Sequence, residues 1–578
     1  MSFLYELHGK KEQTSCGRFT RIQPDSPWSI FRKVVILVII LISTAAWAQT
    51  TTQENNKEGN SYEDLVEIFK DWREFQKPTL VDGIPDYTAD AMAKQHRELT
   101  EYRQRLAAVD TSGWSVSQRV DYLLIWAEMN GLDFDHRVHR PWARNPAFYT
   151  MIWPSQSDVP RREGPVLHGT IELWQYEFPL TPERAADLTE QLRTVPKIFE
   201  QAKGNLVENA RDLWLGGVRR MKRQNQDLDA LARRVAGTNG ELDSAIQQAR
   251  EATDEFVAWL EAEAPSKTGP SGVGKENYNW YLKNVYLLPY TWEEEVTIMR
   301  RELARAHASL RLEEHHNREL PPLTPIASAE EYDNRLNAAV TEFMQFLKEE
   351  EIVTVKDYMD PALRAKIGSF TPPDEYRHFF AKINLRDPVV MRTHFYHWIE
   401  LARMKHEPHP SPIRRVPLLY NIFAFRAEGL ATAMEEMMMH AGLFDDRPRA
   451  RELIWILVAQ RAARALGGLY MHSNDWTMQQ AVDFACEWTP RGWLEKDGAL
   501  VWFEQDLYLK QPGYGTSYIT GKVEIENLMS ERARQLGDDF TLKRFMDEVN
   551  SAGVIPLSLV RWQLTGKDDE ITHLLQSR

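Results

Sequence analysis

Thr393 to Arg403 reads THFYHWIELAR and sets His394, His397 and Glu400 three residues apart. On a helix, steps of about 100° bring all three within roughly 120° of one face, where two imidazoles and a carboxylate can converge. Neutral imidazole and carboxylate supply lone pairs to Zn²⁺ or a similar ion at about 2 Å. Two histidines on an aromatic-rich helix are more often hydrogen-bonded packing residues. Farther on, Glu428, Thr432 and Glu435 share one face of EGLATAME, a stripe otherwise lined by Met and Ala. A buried carboxylate needs a partner, so Glu428 is expected to meet a cation: an arginine (Arg461 and Arg464 are available), a protonated histidine or a metal. His472, after Gly467-Gly468, is expected to point into the same space.

Other polar clusters read more blandly. His136 and His139, beside Arg137, Arg140, Arg144 and Pro141, suggest a solvated, arginine-rich surface. Prolines break His406-Glu407-Pro408-His409 into a turn. Met437 to Met439 is core filler, and Glu349 to Glu351 a solvated helix end.

The elements that carry these residues follow a helical period. Leu65, Ile68, Phe69 and Trp72 recur at spacings of three and four, and the same amphipathic pattern covers 89–109, 117–132, 182–202, 225–264, 292–313 and 329–350. Strand-like alternation is scarce, with Val166 to Trp174 its best candidate. The expected class is therefore mainly α with at most a few short strands, and the length leaves one large domain or several open. APSKTGPSGVG at 264–274 is the clearest internal break, explained as well by one loop as by a boundary.

The 578 residues are 43% hydrophobic and 27% charged, with two Cys. This composition excludes disordered, collagen-like and disulfide-stapled classes. Nineteen Trp suggest large buried or concave surfaces. Near the N-terminus, Arg32-Lys33, the apolar Val34 to Ile42 and the ending Ala46-Trp47-Ala48 follow the plan of a secretory signal. Residues 1–48 are read as that signal, although the thirty residues before Arg32 make either a downstream start or a retained anchor an alternative. Residues 49–61 are a polar linker. Cleavage would leave 530 residues with a formal net charge of −17, and Cys486 alone. Such an acidic, exported chain is a poor partner for nucleic acid or an anionic membrane. With no other apolar span, it is expected to be periplasmic or secreted, free of the membrane once cut.

The order of segments resembles the bacterial family DUF885, a large, mostly helical, usually exported group placed near the zinc metallopeptidases. QPGYGTSYITGKVEIENLMSERARQLGDDFTLKRFMDEVNSAGVIPLSLVRWQL, from Gln511 to Leu564, resembles its P-G-Q-x-x-S-Y-x-x-G segment and its closing F-H-D…G-x-x-P-L. Glu428 to Glu435 resembles E-G-W-A-x-Y-x-E, and Arg461, Arg464 and His472 resemble R-x-x-R…G-x-H. Matches extend through Gly274 to Tyr278 and back to Gly83 to Tyr87, covering nearly the whole mature chain, which implies one large helical domain over 62–578 rather than several. The family's H-E-x-x-P-G-H, however, corresponds here to His394-Phe395-Tyr396-His397-Trp398-Ile399-Glu400. Phe395 stands where the general base belongs, Glu400 stands at the second His with His397 as a substitute, and the third ligand is Glu428. Met546 replaces the His of F-H-D, and Leu507 replaces an Arg before Tyr508. Trp398 lies where the family carries its P-G-H turn, as though filling the cleft.

The resemblance implies a zinc site formed by His394, His397 and Glu428, with Glu400, Tyr518 and His472 as catalytic groups. Arg461, Arg464, Tyr508 and Glu435 would bind substrate. Water activation would fall to Glu400, Glu435 or Glu436, or be absent. Three readings follow: a diverged metal-dependent hydrolase of peptides or related amides, a non-catalytic homologue that keeps the cleft as a binding site for a peptide or small molecule, or a different chemistry using Tyr518, His472 and the arginines.

Overall fold

A computed structural model describes residues 61–237, 239–372 and 378–576. The signal call on 1–48 lies outside them, and of the linker only Ser61 is described. Ser61 caps the first helix, Tyr62–Phe75, in a reciprocal capping box with Asp64. The same device starts Val116–Phe134 at Ser115 and Gln118, Trp292–His316 at Thr291 and Glu294, and Met478–Trp488 at Thr477 and Gln480. Each box satisfies two backbone N–H groups that a helix start leaves unpaired.

The architecture is mainly α. The strands among the described residues form two small pairs, the antiparallel Leu80–Val81 with Ile84–Pro85 and the parallel Ile152–Trp153 with Ile171–Glu172. The first is a hairpin whose two turn residues, Asp82 and Gly83, have φ of 51° and 82°, the left-handed values a tight hairpin turn demands. The strand expected over 166–174 shrinks to Ile171–Glu172, followed by a 3₁₀ turn at Leu173–Gln175.

Two expected helices are split. The 182–202 run breaks into Pro182–Leu192 and Val195–Asn205, the second with proline in its first turn. The 225–264 run divides into the end of Arg211–Val235 and the whole of Gly240–Glu263, separated around Gly237 with φ of 74°. The described residues group as one compact unit, within which 264–274 is a 3₁₀ turn at Ala264–Ser266 followed by a loop.

Among the described residues two large apolar cores hold the helices, with a third, small cluster around Leu213, Met471 and Leu509. The smaller of the two large cores gathers the helices from Pro182 to Glu263 with Tyr149 and Trp214. The larger contains Ala424–His440, Pro448–His472 and Trp292–His316, together with the start of Tyr514–Leu536. Ala424–His440 and Pro448–His472 are buried nearly all round, which marks central helices rather than surface ones. Their polar residues must therefore satisfy one another inside the protein.

Candidate metal centre

His394 and His397 do not share one helix. Pro388–His394 ends at Phe395, whose ψ of 7° leaves the α region, and Tyr396–His406 begins immediately after. The two imidazoles stand nearly perpendicular, at 83° with centroids 5.1 Å apart. Across from them lies Glu428 on Ala424–His440. One ligand atom from each of His394, His397 and Glu428 falls within 4.8 Å of the other two, and all three side chains are buried.

The cluster is polarised. His397 Nε2 donates to Glu428 Oε2 at 3.1 Å, and the Tyr514 hydroxyl donates to Glu428 Oε1 at 2.6 Å. Burial alone would lower the His397 pKa, but the Glu428 charge and this hydrogen bond outweigh it and raise it to about 9. Burial likewise works against the Glu428 carboxylate, and the same imidazole more than compensates, holding it at about 2. The pair is thus imidazolium and carboxylate at neutral pH.

His394 differs. Burial and then the Arg461 charge push its pKa well below 6.5, so its ring is neutral. Arg461 Nη2 donates to His394 Nδ1 at 3.2 Å, while Glu435 Oε1 lies 3.0 Å from the same nitrogen. A guanidinium only donates and a carboxylate only accepts, so Nδ1 finds a partner in either tautomer. Nε2 is buried and has none. Burial raises Glu435 to about 7 against the pull of Arg461, with which it forms two hydrogen bonds of 2.7 and 2.6 Å.

The remaining predicted residues lie elsewhere. Glu400 is outside the cluster: its Oε1 is 2.7 Å from Arg426 Nη1 in a buried ion pair. The break at Phe395 ends the single face on which it was to join both histidines. Arg461 and Arg464 meet Glu435 and Glu504, not Glu428. His472 turns to backbone, its Nε2 donating to the Tyr508 carbonyl at 2.8 Å, and burial lowers its pKa to about 3. The Tyr518 ring lies 4.5 Å from the Arg464 guanidinium carbon and the Tyr508 ring 5.6 Å from it. The Tyr508 hydroxyl is buried without a partner.

Trp398 is partly buried, with Lys366 Nζ 3.8 Å from its ring centre. Glu436 is held by Arg305 and Lys522. His136 and His139 are buried rather than solvated, because a π-turn over Asp135–His139 rolls both inward. There His136 meets Gln95 at 3.1 Å and His139 meets Asp135 at 2.8 Å. Sequence reasoning missed Tyr514, Arg426 and Glu504. Tyr514 sits inside the quoted QPGYG and was recoverable there, but nothing local marks the other two as partners.

The family model described as "Bacterial protein of unknown function (DUF885)" matches residues 76–393 and 396–564. The chain belongs to this family. The interruption falls on His394 and Phe395. Two solved structures share the fold. One is a candidate lipoprotein of unknown function from Shewanella oneidensis, 15% identical, with a TM-score of 0.64 over 88% of this chain and 100% of that one. The other, a candidate lipoprotein from Colwellia psychrerythraea, is 14% identical, with a TM-score of 0.60 over 89% of this chain and 98% of that one. No curated protein matches the chain. Among the described residues no helix is long and apolar enough to cross a membrane.

Proposed function

We propose that this DUF885 member is an exported, peptidase-like protein whose cleft holds a divalent cation, Zn²⁺ by donor chemistry, and acts on peptides or related amides. One observation carries the reading: the buried His394, His397 and Glu428 donors lie within 4.8 Å of one another, and His394 Nε2 has no partner. Two imidazoles and a carboxylate are a donor set that suits zinc and leaves a coordination position open. Bound there, the ion would supply Lewis acidity toward a carbonyl and toward water.

The protein's own groups do the rest. Glu435 can accept the Nδ1 proton of His394 and so free Nε2 as a lone pair, the usual outer support of a metal-bound imidazole. Tyr514 fixes Glu428 from behind. His397 must give up its proton before its nitrogen can serve, so the site should favour mildly alkaline pH.

A free base is what the cluster lacks. Phe395 accepts no proton, Glu400 faces Arg426, Glu435 faces Arg461 and Glu436 faces Arg305 and Lys522. General-base help contributes about 10²–10⁴-fold, so hydrolysis should be slow. The same committed carboxylates favour a second reading, a catalytically silent homologue that retains the cleft for binding.

Metal analysis of the purified, zinc-reconstituted protein tests the proposal, with His394→Ala and Glu428→Ala as controls. About one equivalent in the parent and loss in both variants is expected. Below about a tenth of an equivalent in the parent, the metal reading fails. Peptide turnover by the loaded protein then separates the hydrolase from the silent homologue.

A further inference from the structure

A cavity lined in part by Gln511 opens between the first two helices, the 161–168 loop and the turn at Leu419–Asn421. Its volume is about 90 Å³, room for more than one water-sized group. One wall is apolar, with Met92, Leu132, Trp142, Phe148 and Val166. Arg161 is part of the same lining.

Among the described residues no carboxylate lies within ion-pair distance of Arg161, whereas its neighbour Arg162 is paired with Glu172 at 2.6 Å. The nearby acids are engaged. Glu128 accepts from Trp72, Arg73 and the Leu419 amide, and Asp135 meets His139. Burial, offset in part by Tyr420, lowers the Arg161 pKa, as expected for a cation short of counter-charge. Tyr420 and Tyr87 act on its charge, and Tyr281 lines the same cavity. Tyr420 and Asn421 both hold left-handed φ, at 54° and 48°, a costly conformation that packs the Tyr420 ring over Gly131.

We propose that this cavity binds a small carboxylate with an apolar body, the carboxylate pairing with Arg161 among the three phenols and the body lying against Trp142 and Phe148. A guanidinium matches a carboxylate with two parallel hydrogen bonds, and the low-polarity wall strengthens that pairing. The inference does not depend on the cation site.

Calorimetric titration with N-acetylphenylalanine, and with its primary amide as a neutral control, tests it on the full chain. Saturable binding of the acid, at least tenfold tighter than that of the amide, is expected. Arg161→Met should weaken it at least tenfold and Arg161→Lys less, with both variants melting as the parent does. Glu428→Ala, which breaks the cation cluster, should leave binding within twofold. Undetectable binding to the parent, equal binding of the amide, or binding that survives Arg161→Met but not Glu428→Ala would overturn the assignment.

Discussion

Gly429 and Gly521 meet back to back where Ala424–His440 crosses Tyr514–Leu536. A Cβ on Gly429 would stand 2.5 Å from the Gly521 carbonyl carbon, and one on Gly521 would stand 2.2 Å from the Phe425 carbonyl oxygen. Both obstacles are backbone, so neither can swing aside. This contact sets how closely Tyr514 approaches Glu428, since each tyrosine or glutamate rides on the same helix as one of the glycines. Gly521→Ala should therefore cost about 2–3 kcal/mol, the upper part of the overpacking range, and reduce zinc stoichiometry by moving Tyr514 off Glu428. Thermal melts and metal analysis check this. An unchanged melting temperature would show that the crossing has slack.

Placing a carboxylate at position 395 should not create a free base. The Arg392 guanidinium carbon lies 4.3 Å from the Phe395 ring centre, so a glutamate there would have a cation beside it. Phe395→Glu is expected to raise hydrolysis of a fluorogenic peptide by the zinc-loaded protein less than about tenfold, short of the 10²–10⁴ a free base supplies. A hundredfold gain would mean that the new carboxylate escapes Arg392.

Glu295 gives a stability signature in pH. It is fully buried, accepting from Tyr278 at 2.6 Å, Thr516 at 3.0 Å and Thr520 at 3.2 Å. Burial raises its pKa to about 7 despite those donors. Because the unfolded carboxyl titrates near 4.5, the folded chain holds the extra proton between these values. Stability should then fall as pH rises from about 4.5 to 7, by up to about 3 kcal/mol at 1.4 kcal/mol per unit, and level off above. Glu295→Gln should flatten that slope in denaturant melts at pH 5 and 8. An equal slope in both proteins would place the titration elsewhere.

The helices were readable because amphipathic spacing is local: Leu65, Ile68, Phe69 and Trp72 all face the core from one helix. The breaks were less so. Pro196 and Gly237 mark two of them after the fact, but Phe395 carries no such mark, and its break comes from packing. His394, His397 and Glu428 could be named from their types and the family pattern. Their partners could not, since Glu428 had several cations within reach in principle, and only the folded chain gives it His397 and gives Arg461 to Glu435. His136 and His139 were misread because a π-turn reverses the face that an arginine-rich stretch would present.

Glu128 joins the first helix to the strained turn beside the Arg161 cavity. Its carboxylate accepts from Trp72 Nε1 at 2.8 Å, from Arg73 Nη2 at 2.9 Å and from the Leu419 amide at 2.8 Å. The last bond lies one residue before Tyr420, where two successive left-handed residues cost about 1–3 kcal/mol each and persist only if their surroundings hold them. Glu128→Ala removes that hold and leaves the partly buried Arg73 without its acid, at a cost of about 3–5 kcal/mol. Glu128→Gln keeps one acceptor and should cost less. Amide exchange over 415–425 should accelerate in Glu128→Ala and stay closer to the parent in Glu128→Gln. If exchange there is unaltered in Glu128→Ala, the turn is held by Gln511 and Gly131 instead, and Glu128 serves only the first helix.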